Sequence, residues 1–207
     1  MAGKSPIGVG GLGEEPFLID NPPAYRFNGS MKDIKAKIRE VKDFPKPGIG
    51  FKDITPVVLD GAIFKKAVNR LAAWARNKRP QLIVGIESRG FLFAAPLAYK
   101  LGLGLAIIRK KGKLPRRTVF VQAPNEYAVE FFEIHADAIQ PGQRVVVIDD
   151  LIATGSSSIS AVNLVHKLKG RVVGFGALVE LGFLKGTEAI RKAHPKVDVH
   201  SLVRLDS

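Results

Sequence analysis

Short, unbroken apolar runs alternate along this chain with longer stretches in which apolar residues recur every three or four positions. The clearest run is Val145-Val146-Val147-Ile148. Four branched residues are too few for a helix and suit a strand buried on both faces. Ile159, Val162, Val165 and Leu168 then recur at helical spacing, which predicts a helix entered through Ser156, Ser157 and Ser158. Leu82–Ile86 reads as a second buried strand. It is followed by a tight loop and a helix through Leu101, with Pro96 as a point where that helix can bend. Further strands are expected over 105–108, 129–134, 172–178 and 197–203, and a short helix over 183–193. Residues 61–78 place Ile63, Ala67, Leu71 and Trp74 on one helical face. Upstream, Ser30 offers an N-cap with Asp33 three positions on, and Ile34, Ile38 and Val41 follow at helical spacing. That helix is expected to end by Phe44, because Pro45 and Pro47 come next.

Strands alternating with helices imply an α/β fold with a parallel sheet covered on both faces. Ligands in such sheets bind at the C-terminal ends of strands. The loops at 87–90, 109–126 and 149–158 each follow a strand, so they should meet on one edge. The 109–126 segment is too long for a simple connector and is expected to be a mobile functional loop. Residues 1–30 are rich in Gly and Pro and read as an irregular extension. Residues 31–207 are expected to form a single domain, with a small hood at about 31–56.

At 207 residues the chain can bury one well-packed core. It has no cysteine, which excludes disulfides and thiolate metal sites and makes a reducing cytoplasm the expected compartment. No apolar run approaches the roughly 20 residues a membrane helix needs, and no signal peptide is expected. The net charge is +13, from 32 basic and 19 acidic side chains. Such a balance points to anionic partners: nucleotides, pyrophosphate or nucleic acid. Many of the charges are lysines scattered on helices, where a solvated surface accounts for them.

Candidate chemistry concentrates where the run at 145 ends. Asp149 and Asp150 close the strand, and Ala153-Thr154-Gly155 leads to the serines at the helix start. Free N–H groups and the positive helix end attract a phosphate. The paired carboxylates can accept hydrogen bonds from sugar hydroxyls or hold a metal ion. A ribose 5-phosphate satisfies both; the plainer alternative is a strand whose acids cap the next helix. Glu87-Ser88-Arg89-Gly90 also follows a strand; Arg89 offers a planar, permanently charged fork for phosphate oxygens, and a plain turn with a surface arginine fits the spacing equally well. Gly90 would let a ligand approach the backbone. Arg109-Lys110-Lys111-Gly112-Lys113 is a dense basic cluster, suited to the charge that develops on a pyrophosphate leaving group; the plainer alternative is a solvated charge run. Such a loop could also close over a site and exclude water. Arg116 and Arg117 read as solvated charge. Glu126, beside Tyr127, could exchange a proton with a ring nitrogen, or simply be a surface carboxylate. Phe51, between Gly50 and Lys52, could stack on a flat heterocycle, or simply be core. The four histidines show no zinc-ligand spacing, and neither a Gly-x-Ser-x-Gly elbow nor a Walker A sequence is present.

Residues 145–157 resemble the thirteen-residue signature of the type I phosphoribosyltransferases, which bind phosphoribosyl pyrophosphate (PRPP). The segments 44–56, 87–93, 101–104, 108–115, 126–127, 141–155 and 178–181, in that order, resemble the adenine-specific branch of the family. The resemblance implies the type I fold with an N-terminal hood, and transfer of the phosphoribosyl group from PRPP to adenine with magnesium present. It implies that Asp149 and Asp150 hold the ribose hydroxyls and that Ala153, Thr154, Gly155, Ser156 and Ser157 cradle the 5-phosphate. It assigns Arg89, Arg109, Lys110 and Lys113, with Glu87, Ser88 and Tyr127, to the PRPP and pyrophosphate end. Glu126 becomes the proton-transfer group, Phe51 the adenine stack, and the backbone around Gly50 and Lys52 the reader of the exocyclic amine. The family often carries a non-proline cis peptide at the position of Glu87-Ser88, and its members are generally homodimers; no metal site of the chain's own and no nucleic-acid partner is implied. Three positions depart from the family pattern: Ser156 where glycine is common, Lys52 where arginine is frequent, and Glu87 where aspartate is frequent. Ser156 disfavours positive φ but adds a hydroxyl donor. Two other readings compete: a non-catalytic PRPP-binding regulator of nucleic acid, and a transferase for another purine.

Overall fold

The computed structural model describes residues 31–48, 50–124 and 130–206. Its frame is a seven-stranded sheet. β3 (Leu82–Ile86) lies between β4 (Gly104–Lys110) and β7 (Arg144–Ile152), with β8 (Arg171–Leu181) and β9 (Val199–Leu205) beyond β7. These five strands run parallel. On the other side, β6 (Phe131–His135) pairs antiparallel with the end of β4, and β5 (Thr118–Gln122) pairs antiparallel with β6. The sheet is therefore mixed, where strand–helix alternation alone predicts an all-parallel one.

The runs at 82 and 145 are apolar throughout because both of their faces are covered. Val145 and Val147 pack with Ala161, Val162 and Val165 of α5 (Ser156–Lys167) on one face. Val146 and Ile148 pack on the other with Val68 and Leu71 of α3 (Gly61–Asn77) and Leu97 of α4 (Phe91–Leu101). Each fully buried aliphatic side chain of this kind contributes about 1.5–3 kcal/mol relative to leaving it in water. Asp60 starts α3 by accepting from the N–H groups of Ala62 and Ile63, both at 3.2 Å. Trp74, expected on the helix's buried face, reaches the sheet where Gly174 and Gly176 leave room for its ring; a Cβ at Gly176 would stand 2.7 Å from it.

Three expectations are corrected. The helix expected from 30 to 44 stops early: α1 is only Lys32–Ala36, and β1 (Arg39–Val41) follows. The helical spacing of Ile38 and Val41 yields to cross-strand pairing with β2 (Phe51–Asp53), which sets Arg39 opposite Asp53 and Glu40 opposite Lys52. This two-stranded hairpin lies within the 31–56 segment expected as the hood. Second, 109–126 is not one irregular loop. It contains β5, in which Val119 and Val121 pack on the core while Phe120 faces out. Third, the helix expected over 183–193 is split into a 3-10 turn, Gly182–Leu184, and α6, Gly186–Ala193. A short α2, Thr55–Leu59, closes the hood onto α3.

Candidate active site

β3, β4 and β7 are side by side and in register, with Gly85 opposite Ile148 and Ile86 opposite Ile108. Parallel register delivers Glu87, Arg109 and Asp149 to the same edge, as the loop pattern predicts. The first junction is between β7 and the loop after β3. Gly90 packs so tightly on β7 that a Cβ there would lie 2.6 Å from Ile86 O and 2.9 Å from Asp149 Oδ1. The loop after β3 is thus packed closely on the carboxylate strand at this glycine. The Glu87-Ser88 peptide is cis.

Asp149 and Asp150 are both buried. Burial, and then the neighbouring Asp150 charge, push the Asp149 carboxyl well above its ordinary range. Burial also raises Asp150, although the Arg89 guanidinium draws it back. Arg89 Nη2 is 2.9 Å from Asp150 Oδ2. Its buried Nη1 has no hydrogen-bond partner among the described residues. The Phe51 ring stands 4.8 Å from the same guanidinium. One arginine thus links the hood to the carboxylate pair.

Beyond Asp150, the strand gives way to Ala153-Thr154-Gly155. Gly155 takes φ +86, a conformation open to glycine, and caps α5. The loop is backed by α6: a Cβ on Gly186 would strike Ala153 O at 2.2 Å. Ser156, Ser157 and Ser158 form the first turn of α5, with their N–H groups at the positive helix end. The Ser156 hydroxyl does not point to that end as a spare donor. It donates to Pro124 O at 2.9 Å and ties the turn to the chain leaving β5.

The basic cluster is organised by two buried carboxylates. Glu87 accepts from Arg109 Nε at 3.3 Å and from the Lys110 N–H at 2.8 Å, and pairs with Lys113 Nζ. Burial alone would raise the Glu87 carboxyl, but these hydrogen bonds, Lys113 first, outweigh it and hold the group below its ordinary range. Glu133 on β6 accepts from the N–H groups of Lys113 and Leu114, both at 2.9 Å, and from Thr118 Oγ1 at 3.0 Å. It pins the turn between β4 and β5. Sequence reasoning passed over Glu133; a lone carboxylate inside the apolar run Phe131-Phe132-Glu133-Ile134 was the available signal. The Lys110 side chain turns to Glu130 instead.

Lys52 stands apart from the others. Its buried ammonium pairs with Glu40 Oε1 at 3.1 Å, on the opposite face of β2 from Phe51, and Gly50 lies against the same Glu40. Glu126 and Tyr127 lie outside the described residues. The edge therefore combines buried acids, a helix N-terminus, a half-buried arginine and a tethered set of cations, a constellation suited to a phosphorylated sugar.

Residues 57–206 match the phosphoribosyl transferase domain family. The chain is 50% identical over 175 residues to the adenine phosphoribosyltransferase of Caldicellulosiruptor saccharolyticus, covering 84% of this chain and 98% of that protein. Among solved structures, the adenine phosphoribosyltransferase of Thermoanaerobacter pseudethanolicus superposes with a TM-score of 0.80 at 45% identity, covering 85% of this chain and all of that one. The Saccharomyces cerevisiae enzyme, solved with adenine and an imino-altritol bisphosphate, gives a TM-score of 0.74 at 34% identity, over 83% of this chain and 97% of the other.

Proposed function

The chain belongs to the phosphoribosyl transferase family, and on that premise we propose that it transfers the 5-phosphoribosyl group of PRPP to adenine, giving AMP and pyrophosphate. The observation that carries this reading is the junction of Asp149 and Asp150 with Arg89 on one side and the first turn of α5 on the other. A sugar with vicinal hydroxyls, a 5-phosphate and a 1-diphosphate answers each part. The carboxylates accept hydrogen bonds from the ribose hydroxyls. The N–H groups of Ala153 to Ser157 take the 5-phosphate. Arg89 and the Glu87-Ser88 peptide face the diphosphate, and Arg109 and Lys113 stabilise its charge as it leaves.

The reaction forms the bond from adenine N9 to C1′ and breaks the bond from C1′ to the diphosphate oxygen. The proton on N9 passes to a base, for which Glu126 is proposed; Tyr127 beside it is assigned to PRPP binding. Phe51 stacks on adenine, supported from behind by Arg89, and the backbone of Gly50 and Lys52 reads the exocyclic amine. Magnesium is proposed to enter with the substrate. On the diphosphate it would offset part of the charge that Arg89, Arg109 and Lys113 are proposed to face.

The working form is proposed to be a homodimer, supported by the exposed apolar side chains of Leu92 and Tyr99 on α4. No helix among the described residues is long and apolar enough to cross a membrane, and the absence of cysteine suits a cytoplasmic enzyme. No nucleic-acid partner is proposed. The test is incubation with PRPP, magnesium and a panel of purine bases, reading pyrophosphate and nucleotide. AMP from adenine is expected, and turnover only with another base, or none, would overturn the reading. Glu126→Ala should lower turnover far more than PRPP binding.

A further inference from the structure

The edge of the sheet opposite the candidate active site carries a cavity of about 530 Å³. It lies between the end of α3, the starts of β7 and β8, the last turn of α5 and the chain joining α6 to β9. Its volume falls within the range of small-molecule sites. Lys78, Arg144, His166, Arg171, His194 and Lys196 line it, and no carboxylate does. Asp198, next in sequence to the lining residue Val197, is engaged by Lys78 at 2.6 Å and Trp74 Nε1 at 3.0 Å. Arg144 is fixed in place, its Nε donating to Arg79 O at 3.0 Å and its Nη2 to Lys78 O. Arg171 and Lys196 form no ion pair among the described residues.

Two further features characterise the cavity wall. His194 Nε2 is buried without a hydrogen-bond partner, beside the His166 ring at 5.3 Å between centroids. Such an orphaned polar atom is uncommon in a folded protein. Behind the charged rim the wall is apolar, formed by the buried Val172 and Val197. A cationic rim over an apolar wall matches a molecule with phosphates at one end and a flat base at the other.

We propose that this cavity is a second, non-catalytic site for a nucleotide, with its phosphates on Arg171, Lys196 and Arg144 and its base against Val172 and Val197. The site stands about 16 Å from the carboxylate pair, the length of β7 from Arg144 to Asp149. It does not depend on the transferase reading. Burial, and for His194 also the neighbouring His166, holds both imidazoles below their ordinary range. The other charges facing them in the cavity are all positive, so a bound phosphate would raise both rings.

The test follows the ring resonances of His166 and His194, assigned with His166→Gln and His194→Gln, while ADP or inorganic pyrophosphate is added at constant ionic strength. The proposal expects saturable shifts at both rings, with upward-moved titration points and tighter binding of ADP than of pyrophosphate. Arg171→Ala/Lys196→Ala should weaken ADP at least 10-fold at these reporters and leave the KM for PRPP unchanged. A shift that never saturates, or one that survives the double substitution, would overturn the site. Equal midpoints for ADP and pyrophosphate would overturn its assignment to a nucleotide.

Discussion

Arg89 Nη2 stands 2.9 Å from Asp150 Oδ2, and the same guanidinium lies 4.8 Å from the Phe51 ring. The arginine therefore serves two neighbours that the proposed reaction assigns to different substrates. Removing it leaves Asp150 buried and unpaired and deprives the diphosphate of a donor. Removing one partner of such an ion pair is costly, because it leaves the other charge buried and uncompensated. Arg89→Ala is expected to raise the KM for PRPP by roughly 100-fold, with a smaller rise for adenine. Arg89→Lys keeps the charge but loses the planar fork, so steady-state kinetics should show it far short of recovery.

Gly90 and Asp149 are in contact, and the contact leaves no space for a side chain. A Cβ at 90 would meet Ile86 O at 2.6 Å, a backbone atom with little freedom to retreat. Gly90→Ala should destabilise the fold by about 1–3 kcal/mol and displace the carboxylate pair, weakening PRPP. Gly61 is the control. It opens α3 with nothing within 4 Å of an added Cβ, so Gly61→Ala should be neutral or stabilising by up to about 1 kcal/mol. Thermal melts of the two variants separate these outcomes; equal effects would remove the packing argument.

Much of this site could be read from residue order because parallel strands export their loops to one edge. Val145 to Ile148 fixed β7, and with it the place of Asp149, Asp150 and the α5 turn. Arg89 and Glu87 followed from the run at 82–86 by the same logic. What escaped were partnerships made at long range. Glu133 holds Lys113 and Leu114 from about 20 residues away, and no local spacing encodes that. The helical spacing of Ile34, Ile38 and Val41 was misleading because β2, ten residues on, claims Arg39 to Val41 as its partner. β5 was legible in principle, from Val119 and Val121 alternating with polar or outward positions. It was obscured by the basic residues before it, which draw attention to charge rather than period.

Glu87 is the anchor of the cationic turn. Its carboxylate holds Arg109, the Lys110 N–H and Lys113, and these bonds keep it ionised to lower pH than an ordinary glutamate. A depressed folded value means the order it confers is fully present above its unfolded value of 4.5 and is lost as pH falls through the lower, folded one. Glu87→Gln removes the charge at every pH. Amide exchange over 110–117 should then quicken about 10-fold at neutral pH, and the KM for PRPP should rise by a similar factor, because cations no longer held in place must be ordered on binding. Unchanged exchange in this segment would count against the tether.

Asp149 and Asp150 carry the opposite sign. Burial raises both, and for Asp149 the Asp150 charge adds to it; as neighbours they titrate as a pair rather than singly. In the unfolded chain each ionises near 3.8. The folded state holds protons above that value, so stability declines as pH rises from there through the pair's raised range. The site is thus least comfortable when it is charged, the state that best accepts ribose hydroxyls. Asp149→Asn keeps an oxygen to receive the Asp150 N–H, now 2.8 Å from Asp149 Oδ1, and removes one of the two charges. It should flatten the fall in stability above pH ~4 and raise the melting temperature at neutral pH, by about 2–4 °C for each kcal/mol relieved. PRPP affinity should drop at least 10-fold, because an amide offers one acceptor where a carboxylate offers two. Melting curves across pH and calorimetric titration with PRPP and magnesium read the two effects separately. A variant that melts lower at neutral pH yet binds PRPP as tightly as the parent would show that the pair neither bears this burial cost nor holds the sugar.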